Sequence, residues 1–85
     1  MSDMATVKRT ATIGGYFLEL GPKEIEIYSI AQDGSGALKR IDDIQGTIRN
    51  IAEDYGFERD YELSFRQHVA KLIQYINKLE NNDII

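Results

Sequence analysis

The chain has 85 residues, no cysteine, one histidine, and fourteen acids against ten bases, giving a formal charge of −4. That length supports one hydrophobic core and so a single domain over residues 1–85, and the missing thiols exclude disulfide staples, thiolate metal sites and cysteine nucleophiles. The acidic balance argues against non-specific nucleic-acid binding, which draws on counterion release at a basic surface, and it suits a partner whose own surface is basic.

From the N-terminus, residues 1–5 are expected to fray, and a β-meander is predicted over residues 6–42. Val7, Ala11 and Ile13 alternate with Thr6, Lys8, Thr10 and Thr12, the pattern of a strand with one buried face. Gly14-Gly15 then offers two residues able to take positive φ, either as a tight hairpin turn or as a bulge in one longer strand. The hairpin sets Ile13 against Tyr16 and Ala11 against Leu18, which puts the apolar sets of both strands on one face.

Gly21-Pro22-Lys23-Glu24 predicts the second turn, pairing Leu20 with Ile25 and Leu18 with Ile27. The other face of that pair then carries Phe17 opposite Tyr28 and Glu19 opposite Glu26. An aromatic pair stabilises a sheet, whereas two carboxylates face to face do the reverse unless Lys8, Lys39 or Arg40 neutralises them. Asp33-Gly34-Ser35-Gly36 is a third turn and lacks the ligand spacing of a calcium loop. Tyr28 and Ile30 fall on the wrong parity for the inner face, which calls for a bulge or for partial burial of both faces.

A helical hairpin is predicted over residues 43–80. Asp42 or Asp43 caps a helix whose stripe is Ile44, Ile48, Ile51 and Tyr55, and Gly56 ends it. After a short loop, Asp60 is read as the cap of a longer helix, with Glu62 in its first turn. The stripe of that helix is Phe65, Val69, Leu72, Ile76 and Leu79. Residues 81–85 are expected to fray. Tyr61, His68 and Tyr75 recur every seven residues and define a flanking line, either the edge of the core or a homodimer seam. The fold class is therefore α+β: a meander of three to four antiparallel strands, then two antiparallel helices packed on one sheet face.

Reaction chemistry is sparse. A nucleophilic triad would rest on His68 alone, with Ser64 one turn before it, and two such groups on one helix do not assemble an oxyanion site. No nucleotide-binding fingerprint or metal-binding helix motif is present, so no enzyme activity, cofactor or metal is expected. The densest anomaly is EDYGFERDYE at residues 53–62, where acids and aromatics interleave around the helix–helix turn. Glu53 and Asp54 stand at a helix C-terminus, where negative charge is unfavourable.

Four strands followed by two helices in a small acidic chain resemble small phage anti-CRISPR proteins directed at type I-F surveillance complexes. The landmarks are YFLEL at residues 16–20, EIEIYSI at 24–30, the DGSG turn and IDDI at 41–44. The resemblance implies a non-catalytic inhibitor, working in the bacterial cytoplasm, that occupies a basic nucleic-acid-binding face of an RNA-guided complex. It carries over no functional residue, because no position matches a signature, and fold alone does not fix function.

The residues themselves point to binding, with Phe17, Glu19, Glu26 and Tyr28 as one contact face and Asp54, Glu58, Asp60 and Tyr61 as another. Two alternatives are a homodimeric scaffold joined through Tyr61, His68 and Tyr75, and a nucleic-acid-binding regulator using Lys8, Arg9, Lys39 and Arg40. No apolar run approaches a membrane span and no secretion signal is evident, so a cytoplasmic protein without membrane contact is expected.

Overall fold

The computed structural model describes residues 9–84, with side chains through residue 79. Four antiparallel strands, β1 (Thr10–Ile13), β2 (Tyr16–Leu20), β3 (Ile25–Ile30) and β4 (Leu38–Arg40), form one sheet in sequence order. Two helices follow, α1 (Ile44–Asp54) and α2 (Phe65–Ile84). The strand predicted over residues 6–8 and the fraying of residues 1–5 lie outside the described residues.

The first turn is a hairpin, not a bulge. Ile13 pairs with Tyr16 and Ala11 with Leu18, while Gly14 and Gly15 take φ of 56° and 84°. Positive φ at both central positions is the geometry whose twist matches a right-handed strand pair. The second turn closes through Gly21 N–H donating to the Glu24 carbonyl at 3.0 Å, and it sets Leu20 against Ile25 and Leu18 against Ile27. The third turn folds on its own side chains. The Asp33 carboxylate accepts from Ser35 N–H at 2.9 Å, and the Ser35 hydroxyl accepts from Ala37 N–H at 3.1 Å. Hydrogen bonding from Ser35, by its side chain and then its backbone N–H, holds the Asp33 carboxyl below its usual pKa.

β3 runs without a register break against both neighbours, so the parity of Tyr28 and Ile30 reflects burial on both faces rather than a bulge. Ala11, Leu18 and Ile27 share one hydrophobic cluster with Ile48, Ile51, Val69, Leu72, Ile73 and Ile76. Each of the sheet residues that join it at its margin, such as Ile13, Leu20 and Ile25, has the same parity. β1 and β2 contact α2, and β3 contacts α1.

α1 begins where Asp43 accepts from Gly46 N–H at 3.0 Å. It ends in a full Schellman motif: Phe57 N–H reaches the Ala52 carbonyl at 2.8 Å, Gly56 N–H reaches Glu53 at 3.3 Å, and Gly56 takes φ of 71°. Tyr55 departs from its predicted place. It is 40% exposed, because the helix ends at Asp54 and leaves Tyr55 as the capping residue.

The start of α2 also differs from the sequence reading. Asp60 does not cap it; its carboxylate accepts from Glu62 N–H at 3.0 Å within the preceding loop. The cap is Ser64, whose hydroxyl accepts from Gln67 N–H at 3.1 Å while the Gln67 side chain accepts from Ser64 N–H at 3.0 Å. That reciprocal capping box satisfies two backbone donors at once. At its other end α2 extends to Ile84. No glycine or proline interrupts the hydrogen-bond ladder between Phe65 and Ile84.

Candidate functional site

The first candidate face lies on the sheet side opposite the core cluster. Strand alternation puts Phe17, Glu19, Glu26 and Tyr28 on the parity that the cluster does not use. Glu19 is the direct partner of Glu26 and Phe17 of Tyr28, as the turn chemistry predicts. The two rings are tilted by 39° with centroids 6.3 Å apart. The Tyr28 hydroxyl donates to Glu26 Oε1 at 2.9 Å. That bond to a carboxylate, with some desolvation and the charges of Glu26 and Glu19, raises the phenol above its usual pKa of 10.0.

The register of β4 adds two residues to this face. Ile30 pairs with Leu38, which is 52% exposed, and Tyr28 pairs with Arg40. Sequence reasoning placed Ile30 off the inner face but missed Leu38, because the length of the third turn left the β4 register open. The same register separates the bases offered as neutralisers. Lys39 pairs with Ser29 and takes the inner parity, whereas Arg40 stands beside Tyr28 on the outer row.

The second candidate set lies around the loop between the helices. Asp54, Glu58 and Asp60 are exposed, and Tyr61 is 86% exposed with its ring 5.2 Å from the Arg59 guanidinium. Arg59 also donates to the carbonyls of Asp60 and Leu63, at 2.6 and 3.2 Å, which holds the loop in shape. A groove of about 690 Å³ opens between this loop, α1 and the start of α2.

The Schellman motif turns the chain so that Phe57 lies back toward α2. Its ring stacks on His68 at 5.6 Å and meets Tyr75 at 5.1 Å. The Tyr75 hydroxyl donates to the Tyr55 carbonyl at 3.1 Å. The predicted line of Tyr61, His68 and Tyr75 is divided by the start of α2, with the last two at the edge of the core. Tyr61 precedes the helix, His68 is only 3% exposed, and Tyr75 is engaged with Phe57 and Tyr55. Burial, reinforced by the nearby Arg59 charge, lowers the His68 pKa from 6.5.

Of the four bases offered as a nucleic-acid surface, the three described do not gather. Arg9 precedes β1 at one sheet edge, Lys39 and Arg40 lie on β4 at the other, and Lys8 is outside the described residues. Three strand spacings separate those edges, roughly 14 Å. Among the described residues no group of three or more histidines or acids is placed to hold a metal ion. No described helix is long and apolar enough to cross a membrane. No protein-family model matches the chain, and neither a curated protein nor a solved structure is similar to it.

Proposed function

We propose that this chain is a non-catalytic inhibitor that binds another protein through the outer face of its sheet and blocks a basic, nucleic-acid-binding surface there. The observation that carries the reading is the Glu19–Glu26 pair beside the Phe17–Tyr28 pair, on the face that does not feed the core. Like charges directly opposite weaken a sheet, so folding gives no reason for them. Opposed carboxylates next to half-buried aromatic rings and the exposed Leu38 instead fit lysines and arginines that bring apolar stems with them.

Ile30 and Leu38 extend the apolar part of that surface, and Tyr28 holds Glu26 in place. An RNA-guided host complex of the CRISPR type is the partner class that joins a basic groove to a need for inhibition. Affinity capture from a bacterial host lysate with wild type and with the Glu19→Lys/Glu26→Lys variant tests the reading. Wild type should recover a nucleic-acid-binding assembly and displace its nucleic acid in a filter assay, and the variant should do neither. Equal recovery by a correctly folded double variant would remove the sheet face from the mechanism.

A further inference from the structure

The groove between α1 and the interhelical loop is separate from the sheet face. Along one wall Gln45, Arg49 and Glu53 follow at four-residue steps, with Ile48 and Ala52 one row below. From Gln45 to Glu53 that wall is roughly 12 Å long at the helical rise. An extended segment of about four residues covers such a distance. The groove therefore has the shape for a stretch of chain.

His68 also lines the groove and gives it polarity. Among the described residues no side-chain hydrogen bond engages its imidazole, although the residue is 3% exposed. No described buried nitrogen is sealed off without a partner, and His68 is among the residues that line the groove. A neutral imidazole presents one donor and one acceptor. Phe57 and Phe65 flank it, with ring centroids 5.6 and 6.5 Å away. The surroundings hold one hydrogen-bonding group between aromatic faces.

The charge around the groove is acidic. Glu53 and Glu58 line it, and Asp54, Asp60 and Glu62, all exposed, adjoin lining residues in the sequence. Against these five acids stand Arg49 and Arg59, which balance the two lining acids, so the acidic excess comes from Asp54, Asp60 and Glu62. We propose that the groove docks a short segment of another protein that inserts a tyrosine between flanking lysines or arginines. The tyrosine ring packs against Phe57 and Phe65 and its hydroxyl meets His68, while the basic flanks pair with Glu53 and Glu58. This inference rests on reading the chain as a protein-binding module, at a site the sheet-face contact does not use.

The test is selection of displayed random dodecapeptides on the immobilised full chain, followed by titration of the enriched peptide, made synthetically, into labelled protein. His68 is the only histidine, so its ring C–H signals report the groove without further assignment. Enriched peptides should carry an aromatic residue flanked by lysine or arginine and should shift those signals. Glu53→Lys/Glu58→Lys should weaken them about tenfold or more, while Glu19→Lys/Glu26→Lys should bind them as wild type does. That second result separates failure here from failure of the sheet face. The proposal is overturned if nothing is enriched, if acidic peptides are enriched, or if a bound peptide leaves the His68 signals unmoved. Signals that move with the concentration of the chain alone assign the groove to a second copy, and overturn it too.

Discussion

Tyr28 donates its hydroxyl hydrogen to the carboxylate of Glu26, two residues earlier on the same strand, at 2.9 Å. The bond lies along the outer face of β3 and stabilises the neutral phenol over the phenolate. The Tyr28 ring should therefore titrate at higher pH than an ordinary tyrosine. Glu26→Gln removes the charge and should bring the transition back toward 10.0, its unperturbed position. Carbon-13 chemical shifts of labelled tyrosine rings, followed from neutral to alkaline pH, provide the measurement. An unchanged Tyr28 transition in the variant would mean the bond does not persist in solution.

Glu19 faces Glu26 across β2 and β3, and this juxtaposition should cost stability. Glu19→Gln leaves the Tyr28–Glu26 bond in place and removes one charge. We expect it to stabilise the domain by about 0.2–1 kcal/mol, the range of cross-strand charge effects. Urea denaturation should show a higher midpoint with an unchanged slope, and the difference should shrink in high salt. A destabilised variant would show that Glu19 has a favourable partner within the fold.

Gly46 is tied to the cap of α1. A Cβ built there would overlap the Asp43 carboxylate that accepts its own N–H. Gly46→Ala alone should thus be close to neutral, since a helix-propensity gain of about 1 kcal/mol is offset by a displaced cap of similar worth. In an Asp43→Ala background the same change should stabilise by most of that ~1 kcal/mol. A double-mutant cycle from urea midpoints reads the coupling directly, and additive effects would contradict the overlap.

His68 makes stability depend on pH. Its folded pKa lies below 6.5, so the unfolded chain binds a proton that the folded chain resists. Its contribution is therefore complete above 6.5 and is lost as pH falls from there toward the lower folded value. The slope is bounded by about 1.4 kcal/mol per pH unit for one proton. His68→Phe keeps an aromatic ring beside Phe57 and should flatten the thermal-stability profile across that window. An equal slope in the variant would assign the dependence to other groups.

The sheet was legible in the sequence because its constraints are short-range and agree with one another. Two glycines, a proline turn and strict alternation fix the registers of Ile13 with Tyr16 and of Leu20 with Ile25. The start of α2 was misplaced because Asp60 carries the same capping chemistry as Ser64. What separates them is that Gln67 stands three residues after Ser64 and answers it, a signal present in the sequence as S-x-x-Q. The burial of His68 was legible only as one of two alternatives, the edge of the core. It depends on the chain reversal at Gly56 that brings Phe57 against α2, a tertiary outcome of one backbone angle.

Asn77, late in α2, donates to the Thr10 carbonyl on the edge strand β1 at 3.1 Å, across 67 positions of sequence. Arg66 reaches the Gly21 carbonyl in the same way. A growing chain leaving the ribosome therefore completes its first hairpin long before the helix that binds it exists. Until then the open side of β1 is available to another strand, the situation that favours mispairing. Truncation before Asn77 should therefore yield an aggregation-prone product, and the last quarter of the chain acts as the step that commits the first strand.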